Sequence, residues 1–315
     1  MTLLLLACAA AMGFLVPRGT TCAVAAVSEV FDRRSAWRFA GFGMATCAGI
    51  AILLPLSWAL GFPLHFAAHF ALSGTIALGG LLFGLGAGIN GACVFGTLTK
   101  IVSGDSSYMF VLLGLWLGGI VLGLTHVSMA PQILSASHLS DPSPALGLIW
   151  ALAILFLMGG GVLFARQRIL RFALIMSGIG LVGGLLYTLH PSWSYSSLVH
   201  EFAQETIMMP PFMRDSLLPC LVVAAGVGGF VSVALAGRFK LKAPTLQTSI
   251  GAIIGGFLMA FGITMIPGGN DSIVLFLLPS LVPAGLLAYA TMNMGIAVIV
   301  LAGRAIAKTS KGGLA

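Results

Sequence analysis

The sequence predicts an all-α polytopic membrane protein, and three observations carry the prediction. Apolar residues form 59% of the chain against 7% charged, mean hydropathy is +1.08, and apolar runs recur at lengths that cross about 30 Å of hydrocarbon. Several runs are broken at membrane depth by glycines and polar residues, most plainly at Gly86–Leu98 and Pro267–Asp271. The basic residues behind the formal charge of +7 fall in short clusters between the runs, which is a topological pattern and not a polyanion-binding face. A soluble fold and a nucleic-acid partner are therefore excluded, and the lipid bilayer is the solvent.

Taken in order, full crossings are expected near 2–16, 36–60, 71–89, 106–126, 144–164, 171–189, 213–236, 246–266 and 283–303. The first is expected to be a retained helix, because Met1–Val16 has no basic n-region and no Ala-x-Ala-like cleavage site before Pro17-Arg18. Three shorter apolar pieces, Thr20–Val30, Ala92–Val102 and Asp271–Leu281, open with glycine or polar residues and are too short to span. They read as re-entrant half-helices.

Orientation follows from the clusters Arg33/Arg34/Arg38, Arg166/Arg168/Arg171, Arg238/Lys240/Lys242 and Arg304/Lys308/Lys311, which the positive-inside rule assigns to the cytoplasm. Loops 61–70, 127–143 and 190–212 carry no Lys or Arg and belong outside. Nine crossings satisfy every cluster with the N-terminus outside and the C-terminus inside. Residues 1–126 then form one half, 127–170 a linker with a single crossing, and 171–315 a second half of opposite orientation. The segment 253–262 also runs parallel to 77–86 in sequence. The expected architecture is an inverted repeat shaped like an hourglass, with half-helix starts meeting near the midplane.

Five cysteines are present. Cys8, Cys47 and Cys220 sit in unbroken apolar runs and read as small buried hydrophobes. Cys22 and Cys93 each open a half-helix, and both half-helices enter from the reducing side, so two free thiols are expected to face a pathway. A half-helix start offers unpaired N–H groups and the positive end of a dipole, and a thiol adds a weak donor and a polarizable surface. Together they suit a soft, sulfur-bearing anion. Asn270-Asp271-Ser272 is first of all an N-cap pattern. Asp271 is also the one carboxylate expected near membrane depth, where such groups are expensive and serve proton coupling. Gly91 and Gly269 belong to the breaks themselves, and Lys100 reads as an anchor at the far end of its half-helix.

Other polar residues are weaker candidates. His65 and His69 share a helix face but have no third ligand nearby, and His190, His200, Glu201 and Glu205 read as parts of an outer loop over the vestibule. No His-Glu-x-x-His, Gly-x-Ser-x-Gly, P-loop or paired haem histidines occur. No catalytic residues, metal site or cofactor are expected.

At the breaks the chain resembles the YeeE/YedE family of thiosulfate and sulfur transport membrane proteins. The resemblance rests on Gly91-Ala92-Cys93-Val94-Phe95-Gly96-Thr97-Leu98, on Cys22 after Arg18-Gly19, and on the inverted, re-entrant arrangement. It implies a multi-pass protein of the bacterial inner membrane whose Cys22 and Cys93 pass thiosulfate by S–H contacts without a large rocking motion. Where thiosulfate transporters of the family have a further cysteine at the C-terminal half-helix, this chain has Gly268-Gly269-Asn270-Asp271. The expected function is import of a small sulfur-containing anion, thiosulfate or a related species, through Cys22, Cys93 and Asn270. The alternative is a membrane scaffold that recruits a cytoplasmic sulfur-carrier protein.

Overall fold

In hydrocarbon every backbone N–H and C=O must be paired within the segment, so long Leu/Ala/Gly runs fold as helices. The computed structural model is such a bundle; it describes residues 1–19, 21–60, 66–125, 131–135, 143–163, 167–207, 217–266 and 268–312. His65, Arg166 and Pro267 lie outside the described residues, as do the side chains of Arg168, His200, Glu201, Glu205, Lys308 and Lys311.

The long helices are α1 (Thr2–Gly19), α3 (Trp37–Leu60), α4 (Gly74–Asn90), α6 (Phe110–Thr125), α7 (Pro144–Leu163), α8 (Gln167–Leu189), α10 (Leu217–Leu235), α11 (Leu246–Met265) and α13 (Pro283–Gly312). Between them stand α2 (Ala23–Arg33), α5 (Val94–Val102), α9 (Tyr195–Ile207) and α12 (Asn270–Ser272), the last running on into a π-helical turn at Ile273–Leu277. Two short strands, β1 (His69–Phe70) and β2 (Ile133–Ser135), pair antiparallel and are the only strands among the described residues. Eight stretches of the described residues are long and apolar enough to cross a membrane. The ninth expected crossing is present as α7, whose apolar described stretch, Pro144–Leu157, is shorter.

One expectation needs correcting. Segment 190–212 is not simply an outer loop: it contains α9, and Trp193, Ser194 and Ser196 at its start are buried against the bundle. The described residues therefore hold four short inserted helices where three were expected.

Small residues set the helix packing, because apolar side chains gain nothing from one another over lipid and close backbone approach is what remains. A Cβ on Gly13 of α1 would strike the Ala225 carbonyl of α10, and one on Gly180 of α8 would strike the Ala45 carbonyl of α3. The contacts follow an exchange rule. α1 lies along α10 as α8 lies along α3, α4 along α13 as α11 along α6, and the pairs α1–α8 and α4–α11 close the bundle. The α4–α11 seam is reciprocal: a Cβ on Gly262 would come within 2.8 Å of the Gly79 carbonyl, and one on Gly86 within 2.5 Å of the Gly255 carbonyl.

Basic residues gather at one end of the bundle. Arg304 pairs with Asp32, Arg38 with Glu29 at 3.6 Å, Lys242 with Asp105 at 3.8 Å, and Arg18, Arg171 and Arg238 surround one cavity. That end is called the basic end below.

Candidate functional site

The half-helices bring the sequence's candidate residues to one point. α4 ends at Gly91, whose φ of +73° closes the helix with its N–H on the Gly88 carbonyl, a left-handed conformation that glycine adopts without strain. Asn90 braces the break from behind, donating from Nδ2 to the Ala92 carbonyl at 2.7 Å and to Thr97 Oγ1 at 3.0 Å. This turn delivers Cys93 to the N-cap position of α5, fully buried.

Cys93 does not cap its own helix. Its sulfur instead accepts the N–H of Ala23, the first residue of α2, at 3.3 Å, and its S–H faces the Thr21 carbonyl at 3.9 Å. Cys22, the N-cap of α2, is half-buried, and its thiol meets that of Cys93 in side-chain hydrogen-bond contact; both are free thiols. Gly96 permits this approach, since a Cβ there would lie 2.7 Å from the Cys22 sulfur. The glycine of the Gly-Thr-Leu motif is thus a contact requirement, and Thr97 is the brace for Asn90.

From the other end of the bundle α12 arrives at the same thiol. Asn270 is fully buried and donates from Nδ2 to Cys93 Sγ at 3.7 Å. The capping expectation for Asn270 and Asp271 is corrected here: the N-cap is Gly269, with no side-chain cap bond, and both polar residues lie inside the first turn. Asp271, 1% exposed, uses Oδ2 to accept the Tyr187 hydroxyl at 2.7 Å, while Ser272 donates to that hydroxyl oxygen at 3.0 Å. Tyr187 of α8 is fixed by stacking on Phe276 at 5.6 Å and by an edge contact with Trp193 at 5.5 Å.

α9 completes the ring. Ser194 caps it, accepting from the Ser197 N–H at 3.4 Å, and the Tyr195 hydroxyl donates to the Val94 carbonyl at 2.9 Å. A cavity of about 20 Å³, room for a single water, lies between Val94, Trp193, Ser194, Tyr195 and Asp271. Three of the four short helices, α2, α5 and α12, therefore start around Cys93 with no cap bond from their own N-cap side chain, and the Cys93 sulfur takes the first N–H of α2. Their first N–H groups are the kind that attract anions.

Of the three cysteines expected to be buried hydrophobes, Cys8 is one, Cys47 is partly buried, and Cys220 is exposed, which corrects that expectation. Cys8 is buried on α1, Cys220 is exposed on α10, and Cys47 lines an apolar side cavity of about 500 Å³ between α3 and α13. None of them reaches Cys93. Lys100 is exposed, with its ammonium 5.6 Å from the Tyr108 ring, and His69 belongs to β1. Sequence reasoning missed Tyr187, Ser194 and Tyr195, and read Ser272 only as part of a capping pattern.

The family model described as sulphur transport matches residues 18–178 and 162–298. The chain belongs to the YeeE/YedE sulphur transport family. No curated relative matches it. Both matched stretches contain half-helices, and the offset that carries 77–86 onto 253–262 carries Cys93 onto Gly269, N-cap onto N-cap. At the second position this YeeE/YedE member has no room for a side chain. A Cβ on Gly269 would lie 2.7 Å from Asp271 Oδ1 and 2.9 Å from Val94 Cγ2. A carboxylate oxygen and a valine methyl crowd the place where a third thiol would stand.

Proposed function

We propose that this protein imports a small sulfur-containing anion, thiosulfate or a close relative, across the bacterial inner membrane, with its N-terminus outside and its basic end in the cytoplasm. In this reading residues 1–126 and 171–315 are inverted halves joined by 127–170. Cys22, Cys93, Asn270 and Asp271 line the narrow waist of an hourglass, and Gly91 and Gly269 shape its backbone. The observation that carries the reading is the convergence on Cys93 of three helix starts whose own N-cap side chains make no cap bond. Each such terminus favours a negative charge by about 0.5–2 kcal/mol in a partly buried setting, and the thiols add soft donors that match sulfur better than a hydrated hard oxyanion.

The waist is closed, so passage requires side-chain movement at Cys93 and Asn270. Asp271 turns Oδ2 toward Tyr187, which limits its repulsion of a passing anion. A scaffold for a sulfur-carrier protein gains nothing from polar groups at four helix starts, although such a carrier remains a natural acceptor at the basic end. The test is uptake of radiolabelled thiosulfate by purified protein in liposomes, with competition from sulfite, sulfate, selenite and cysteine. Saturable thiosulfate uptake, unaffected by sulfate, whose sulfur is fully enclosed by oxygens, is the expected result; no thiosulfate uptake refutes thiosulfate transport.

A further inference from the structure

At the basic end α1, α8 and α10 leave an open cavity of about 680 Å³, lined among others by Leu15, Arg18, Arg171, Leu174, Leu235 and Arg238. Among the described residues no carboxylate lines it, and the ion pairs there engage Arg38, Lys242 and Arg304 instead. Two of the three guanidinium groups are held in place: Arg18 lies 3.8 Å over the Phe14 ring, and Arg238 donates to the Pro17 carbonyl at 3.2 Å. Each keeps further N–H donors, because a guanidinium has five. Three like charges around one cavity repel one another unless an anion stands between them, and a planar fork suits phosphate oxygens.

The floor narrows the ligand further. Leu174 is 65% exposed and Leu235 72% exposed, on the outer surface of helices that cross the bilayer. Hydrocarbon beside a phosphate subsite is of no use to a free, hydrated anion, whereas a lipid tail covers it. We propose that this cavity is a binding site for an anionic diacyl phospholipid, its phosphate between Arg18, Arg171 and Arg238 and its chains along Leu174 and Leu235. The site lies outside the Cys93 cluster and requires only that the helices span a membrane. Its occupant would pin the end of α1 four residues before Cys22.

The test uses the full-length protein in detergent, with thermal unfolding and native mass spectrometry as readouts. Phosphatidylglycerol is expected to bind saturably and raise the melting temperature, while phosphatidylcholine and inorganic phosphate at matched concentration do neither. Arg171→Gln and Arg238→Gln should each weaken phosphatidylglycerol binding about fivefold, and Lys240→Gln, outside the cavity, should leave it unchanged. If Arg238→Gln fails to fold through loss of its Pro17 bond, Arg171→Gln alone decides. Equal binding of the two lipids, displacement by inorganic phosphate, or wild-type affinity in Arg171→Gln overturns the proposal.

Discussion

The side-chain amide of Asn270 donates to the sulfur of Cys93 across 3.7 Å, and the two residues are 177 positions apart in sequence. One opens a short helix that enters from the basic end, the other a short helix from the opposite end. In the proposed pathway, an anion passing between the two ends parts these groups or exchanges hydrogen bonds with them.

Cys93→Ala should bring uptake to background, while Cys47→Ala and Cys220→Ala leave it near wild type. The enclosed thiol leaves a small void, so a stability loss of about 1 kcal/mol is expected, which a folded membrane protein tolerates. Liposome flux measured beside thermal unfolding separates the two effects; near-normal flux in Cys93→Ala would rule out a thiol-dependent step.

Asp271→Asn should fold and should flatten the dependence of uptake on external pH. The motive is that the carboxylate is fully enclosed and does not cap α12, so its expense is unexplained by helix termination. Tyr187→Phe removes the donor to Oδ2 and is expected to lower stability by about 1–3 kcal/mol. Uptake recorded from acidic to alkaline external buffer checks this: a profile in Asp271→Asn that overlies wild type argues for a purely structural carboxylate.

Gly96→Ala should destabilise by about 1–3 kcal/mol and impair uptake, because its Cβ would meet the Cys22 sulfur at 2.7 Å. Gly226→Ala on α10 serves as the comparison, since nothing lies within 4 Å of the added atom; it should be neutral or slightly stabilising. Detergent melting curves of the two variants give the difference directly.

Single cysteines introduced at Gln132 and Thr309 in a cysteine-free background should label from opposite sides of the membrane with an impermeant reagent. Gln132 stands beside β2, and Thr309 lies near the end of α13 beyond Arg304. Labelling of both from the same side would break the nine-crossing arrangement.

The parts of this site legible in the sequence were those that break a pattern. Glycines and a thiol inside an apolar run mark α5, and Gly268-Gly269-Asn270 marks α12, because nothing in a plain spanning helix calls for them. α9 escaped for the opposite reason. Tyr195–Ile207 mixes Glu201, Glu205 and His200 with apolar residues, as any surface helix does, and its buried start is a serine-rich turn. The usable signal was indirect: α2 lacked a counterpart in the second half. Tyr187 was invisible because its partner Asp271 is 84 residues away and no local motif joins them.

The glycine seam, Gly79 against Gly262 and Gly86 against Gly255, gives α4 and α11 matching close contacts along their length. In the proposed inverted arrangement, a barrier flanked by such a seam has little built-in rectification. If the halves are the inverted pair proposed here, the asymmetry nearest the centre is a thiol at 93 against a bare glycine at 269 and a carboxylate at 271. Net flux then takes its direction from the gradients across the membrane, of the anion and of any proton that Asp271 carries, and flow should reverse when those gradients are reversed.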